Sequence, residues 1–108
     1  MRRAIEFMRE NAHRPMTLRD IANAAGVSVR GLHYGFKNFA AETPFEHLRK
    51  IRLQRAYKEL SERPEVAVGD IARKWGFSNS ARFAQLFKKS YGSLPSEVRR
   101  VHVRGGKG

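Results

Sequence analysis

Asp70-Ile71-Ala72-Arg73-Lys74-Trp75-Gly76-Phe77-Ser78 is the most telling stretch of the chain, because its skeleton has already occurred once before it. Asp20-Ile21-Ala22 and Gly26-Val27-Ser28 carry the same residues with the same gap between alanine and glycine. Beyond that phrase the likeness continues with a slip of one position. Leu32, Phe36, Lys37, Pro44 and Glu46 return as Phe83, Phe87, Lys88, Pro95 and Glu97. Ile-Ala suits a helix crossed closely by a partner, and glycine suits a sharp turn. An apolar plug (Val27, Phe77) and a hydroxyl residue to cap the next helix (Ser28, Ser78) complete a helix-turn-helix pattern. Two copies at matched spacing make the pattern far more specific than one.

On either side of these phrases the periodicity is helical nearly throughout, with no alternating strand. A first helix is predicted from Arg2 to about Ala12, with Ala4, Ile5, Met8 and Ala12 as its apolar stripe. Arg14-Pro15 ends it. Thr17 caps a second helix, with Asp20 completing a shortened capping box, and Leu18, Ile21, Ala22 and Ala25 turned inward. Ser28 caps a third, reaching about Phe39 and burying Leu32, Phe36 and Phe39. Thr43-Pro44 opens a long helix that runs to about Ser61 and stops at Arg63-Pro64. The second unit repeats the scheme: Val68 to Trp75, Asn79 to Ser90, and a closing helix from Pro95. The expected architecture is all-α. Residues 1–42 form a first subdomain, 43–62 a linker helix, 63–104 a second subdomain, and 105–108 a disordered tail.

The 108 residues contain 22 Lys and Arg against 10 Asp and Glu, a formal charge of +12 that points to a polyanionic partner, either nucleic acid or an anionic membrane surface. From Ser80 onward Glu97 is the single acid, so the positive potential is steepest there. The chain contains no cysteine, which excludes disulfides and thiol chemistry and fits a cytoplasmic protein. No apolar run approaches the length of a membrane helix, and Glu6, Arg9 and Glu10 interrupt any leader-like segment after Met1.

One stretch is more specific still: Ile71-Ala72, Gly76-Phe77, Phe83, Phe87-Lys88-Lys89, Tyr91-Gly92, Leu94-Pro95 and Arg99. It resembles the signature of the DNA-binding domain of AraC/XylS transcriptional regulators. Pro44, Leu48, Arg52-Leu53 and Ala56 likewise resemble that family's linker helix, and the likeness covers about residues 4 to 102. The resemblance implies seven helices in two helix-turn-helix subdomains joined by a long helix. It also implies double-stranded DNA as partner, RNA polymerase as the machinery recruited by an activator, and a nucleoid location. An effector-sensing or dimerising domain is usual in the family; with the first helix beginning almost at Met1, it would lie outside this chain, which is then either a C-terminal domain or one of the stand-alone members. Geometry is compatible. A linker helix of roughly 27 Å, with the half-width of each unit, can span the ~34 Å between successive major-groove faces.

Helix phase and the resemblance together nominate the readers. Leu32 and Phe36 face inward in the third helix, so its opposite face carries Arg30, His33, Tyr34 and Lys37, and the resemblance implies that Arg30, His33 and Tyr34 stand at base-reading positions. In the second unit Ser80, Ala81, Arg82 and Gln85 occupy them. Arginine forks onto guanine, and the Gln amide pairs with adenine. Phosphate contacts are assigned to Lys37, Lys88, Lys89 and Arg99, with the helix starts at Thr17, Ser28 and Ser96 adding backbone amides. Two features depart from the family pattern: Tyr34 stands where arginine is common, and Ala41 where a turn glycine is common. Gly31 and Gly35 weaken the third helix, permitting either close packing or close approach to DNA.

Other signals point to ordinary structure. His13, His33, His47 and His102 have no metal-ligand spacing, and no cofactor loop or nucleophile is recognisable, so neither metal, cofactor nor catalysis is expected. Trp75, Phe77, Phe83, Phe87 and Tyr91 read as one core cluster rather than a stacking platform. Glu6 with Glu10, and Glu59 with Glu62, read as helix-surface pairs. A basic helical protein-interaction module and a non-specific nucleoid or RNA binder are the competing readings.

Overall fold

The computed structural model describes residues 1–99; the expected tail at 105–108, and His102, lie outside them. Among the described residues the chain is all-helical. The elements are α1 (Arg2–Asn11), α2 (Leu18–Ala25), α3 (Val29–Ala40), α4 (Pro44–Glu62), α5 (Val68–Lys74), α6 (Ser80–Tyr91) and a seventh helical segment, α7, at 95–99. Two compact units divide the chain, with the boundary after Arg52, inside α4.

In the first unit α1 packs on α2 and α2 on α3. Ala4 and Met8, Ile21 and Ala22, Leu32 and Phe36, and Leu48 and Ile51 form its buried interior, two residues from each helix at three- or four-residue spacing, or adjacent. Thr17 and Asp20 form the expected reciprocal capping box at the start of α2. Gly26 ends α2 in the left-handed conformation at φ 72°, where its amide bonds back to Ala22 and Asn23. Val27 is 41% exposed, so it does not plug the turn as the sequence pattern implied.

The second unit buries Leu53, Ala56 and Leu60 from α4, Ile71, Ala72 and Trp75 from the α5 region, Phe83 and Phe87 from α6, and Val98 from α7. Phe77 and Phe83 rings lie 5.0 Å apart, Phe83 and Phe87 5.6 Å, and Phe87 and Tyr91 4.8 Å, with Tyr57 stacked on Phe87 at 5.8 Å. Trp75 stands apart from this chain of rings. Its indole nitrogen donates to Glu59 Oε1 at 2.9 Å, and Lys74 sits 5.5 Å over its ring.

The one-residue slip in the repeat has a structural cause. Ser28 caps α3, its hydroxyl accepting from the Gly31 amide. In the second unit the cap is Asn79, whose side chain accepts from the Arg82 amide, and not Ser78 as expected. The turn there holds one residue more, so positions that match at 50 before the turn match at 51 after it. Asparagine outcompetes the serine because it stands where the backbone leaves the turn, and it caps at least as well.

Candidate nucleic-acid interface

α3 and α6 are each clamped to their unit by an apolar pair one turn apart, Leu32 with Phe36 and Phe83 with Phe87. Burying a phenylalanine fully is worth about 1.5–3 kcal/mol, so these pairs fix the rotation of each helix about its axis. The opposite faces are thereby presented outward. Arg30, His33 and Tyr34 on α3, and Ser80, Ala81, Arg82 and Gln85 on α6, are all exposed. Lys37, Lys88 and Lys89 are exposed beside them. Arg30 and Arg82 guanidinium groups make no ion pair or hydrogen bond with any described residue, which leaves their donor forks available.

The two outward faces differ in composition. At the offset of 51, Arg30 matches Ala81, Gly31 matches Arg82 and Tyr34 matches Gln85, while Lys37 matches Lys88. The arginines therefore stand one position apart in helical phase, about 100° around the axis. Phe39, expected inside, is 66% exposed: it shares the helical phase of Leu32 but lies in the last turn of α3, one residue from its end, where no element covers it. Gly35 lies against the Met1 side chain, and a Cβ there would meet its terminal methyl, the movable end of a flexible side chain. A Cβ at Gly31 would meet only the helix's own start, the Ser28 hydroxyl at 3.3 Å and Val27 Cβ at 3.6 Å.

Several assigned phosphate contacts have local structural occupations. Thr17 donates its amide to Asp20 Oδ2 at 2.9 Å and accepts from the Asp20 amide at 3.1 Å. Ser96 is exposed in the first turn of α7, where Glu97 Oε1 accepts from the Leu94 amide at 2.8 Å. Arg99 is engaged elsewhere: its Nε donates to Leu60 O at 3.3 Å and its terminal nitrogen to Arg63 O at 3.0 Å. That guanidinium closes the C-terminal end of α4, whose last carbonyls have no helical partner.

Two charged clusters join elements within the units through contacts that the sequence reading did not foresee. Glu42, just past α3, accepts from Lys50 Nζ at 2.6 Å and lies 2.5 Å from His47 Nδ1. The His47 ring in turn packs 5.4 Å from that of Phe36. Burial pushes the Glu42 carboxyl up, but the bonds from Lys50 and His47 outweigh it and hold it below the ordinary range. Glu59 is set the same way by Lys74 and Trp75 against burial, so it is a bridge from α4 to the end of α5 rather than half of a surface pair. Both arrangements join residues by tertiary contact, or by turn geometry at spacings of five and eight. Helical periodicity does not signal such pairs.

Among the described residues no group of three or more His, Cys, Asp or Glu could hold a metal ion. No helix among them is long and apolar enough to cross a membrane.

Two helix-turn-helix units, each presenting the open face of its second helix, define a tandem DNA-binding domain. The helix-turn-helix domain profile matches residues 21–101, and the chain belongs to that family, the DNA-binding domains of AraC/XylS-type transcription regulators. It is 38% identical to the probable thc operon regulatory protein of Rhodococcus erythropolis, over 90% of this chain and 30% of that protein. It is 29% identical to the XylDLEGF operon transcriptional activator 2 of Pseudomonas putida, over 93% of this chain and 65% of that protein. The chain thus spans less than two thirds of either relative. Among solved structures, an AraC-type transcriptional regulator from Chromobacterium violaceum superposes with a TM-score of 0.88 at 28% identity, covering 94% of this chain and 89% of that one.

Proposed function

We propose that the chain reads double-stranded DNA by sequence, with α3 and α6 entering adjacent major-groove segments. The observation that carries this reading is the exposure of all seven nominated base-reading side chains on faces held outward by buried Leu32, Phe36, Phe83 and Phe87. Arg82 forks onto guanine and Gln85 pairs with adenine in one half-site. Arg30 forks onto guanine in the other, with His33 and Tyr34 beside it. Because the arginines are out of phase, the two half-sites differ, and one chain binds an asymmetric site without a second copy.

Lys37, Lys88 and Lys89 neutralise phosphates, helped by amides at the starts of α2, α3 and α7, near Thr17, Ser28 and Ser96. Arg99 serves the fold first. In the cell this domain works in the cytoplasm, on the nucleoid, and positions RNA polymerase as an activator; the Pseudomonas relative is named a transcriptional activator. No catalysis is assigned.

Selection of binding sites from a random duplex library tests this directly. A bipartite consensus is expected, with Arg30→Ala relaxing one half and Arg82→Ala the other. Equal affinity for all duplexes would identify a non-specific binder, and no binding a protein-interaction module; either result removes the proposal.

A further inference from the structure

Tyr34 and Gln85 hold equivalent positions on α3 and α6, 51 residues apart. A glutamine there has an amide that can pair with adenine, whereas a phenol ring has no fork for any base edge. Yet the Tyr34 ring is 72% exposed, the most exposed of the chain's large hydrophobic side chains among the described residues. No hydrogen bond or ring contact to a described residue accounts for its position. It walls an open recess of about 470 Å³ together with His33, Lys37, Ala41, Glu42, Thr43 and Glu46, and most of the exposed lining is apolar. Lys37 follows one turn later and supplies the charge that would draw the backbone of a duplex close.

Among the four bases, thymine alone carries an apolar group on its major-groove edge, the C5-methyl. We propose that Tyr34 reads thymine, its ring lying against that methyl, and sets the preference of the first unit at one base pair. The assignment rests on the DNA-reading function proposed above. It makes the first unit a reader of mixed character: Arg30 selects by hydrogen bonds, and Tyr34 selects by apolar contact.

The test uses the whole chain and duplexes in which single thymines of the selected site are replaced by deoxyuridine, which removes the methyl and keeps the base pair. Burial of one methyl corresponds to about a fourfold change in affinity. A fourfold loss is expected at one thymine of the first half-site. Tyr34→Phe should keep that ratio, and Tyr34→Ala should bring it to one. Tyr34→Gln is the second variant, since glutamine already occupies the matching place in α6; it should abolish the ratio and move the preference on that strand toward adenine. Thermal melts confirm that each variant is folded.

A wild-type ratio of one at every thymine in that half-site would overturn the assignment. So would a ratio that survives Tyr34→Ala, or one lost in Tyr34→Phe, which would place the phenol hydroxyl on a phosphate instead. A selected consensus without thymine discrimination refutes Tyr34 alone. Absence of any consensus refutes the DNA-reading function with it.

Discussion

Arg52 and Arg99 do the same work in their two units from positions that the repeat does not pair. Arg52 Nε donates to Ala12 O at 3.0 Å and its terminal nitrogen to Arg14 O at 2.9 Å, closing the end of α1. Arg99 closes the end of α4 through Leu60 and Arg63 in the same fashion. The repeat offset of 51 would match Arg99 with Leu48, one helical turn before Arg52. Each guanidinium satisfies carbonyls left over by a helix terminus and places a cation at its negative end.

This division of labour makes Arg99 separable from the phosphate-binding lysines. Arg99→Ala should destabilise the second unit by about 1.5–3 kcal/mol, the range for hydrogen bonds from a charged donor. Arg99→Lys should recover only part of that, since an ammonium lacks the fork that spans two carbonyls. Where the variant is folded, the dependence of DNA affinity on salt should match that of the wild type. Denaturant melts read the first effect and binding titrations in graded salt the second. A reduced salt slope would return Arg99 to the phosphate contacts.

Ala41 ends α3 in the left-handed region at φ 54°, the conformation that Gly92 adopts at the matching end of α6. A Cβ in this conformation costs about 1–2 kcal/mol, partly offset because glycine is freer in the unfolded chain. Ala41→Gly should therefore stabilise the first unit by about 0.5–1 kcal/mol, a rise of a few degrees in melting temperature. Calorimetry checks this. A lower midpoint would mean that the turn is held by its neighbours without strain.

Much of this was legible in the sequence because the repeat multiplies local signals. The buried Ile-Ala pairs, the inward phenylalanines and the Thr17–Asp20 box all follow from spacing alone. Spacing failed where geometry is set by a neighbour. Ser78 has the chemistry of a cap, but one added turn residue hands the role to Asn79. Phe39 is apolar, but no element covers it. Arg99 reads as a phosphate contact, Arg52 as part of the linker-helix likeness and Glu59 as half of a surface pair, while Glu42 draws no reading; the roles of all four arise from contacts that no local pattern encodes. The outward faces of α3 and α6 were predictable by subtraction, once the inward residues were known.

The braced glutamates give the stability a pH dependence of definite sign. Glu42 and Glu59 each have a folded-state pKa below the ordinary glutamate value, because the bonds they accept outweigh burial. The stability they add is full above about pH 4.3, the unfolded value, and is lost as pH falls through the lower folded value. Glu42→Gln should reduce stability at neutral pH and flatten the acid limb of the melting-temperature profile for the first unit. Glu59→Gln should do so for the second. An unchanged acid limb in both variants would show that other carboxylates govern it.

Lys88 and Lys89 close the argument on DNA, because their charge can be told from base reading without knowing the target. Each neutralised phosphate releases condensed counterions, so log affinity falls against log salt with a slope of about −0.9 per contact on B-form duplex. Lys88→Ala and Lys89→Ala should each lower the magnitude of that slope by about 1 and weaken all duplexes alike. Lys37→Ala should behave as Lys88→Ala does, since the two occupy matching positions on α3 and α6. Arg82→Ala, in contrast, should cost about 1–3 kcal/mol on the selected site and little on unrelated duplexes. Titrations at four or five salt concentrations on selected and scrambled duplexes measure both quantities together. If Arg82→Ala lowered every duplex equally, it would belong with the lysines, and α6 would hold the groove by charge alone.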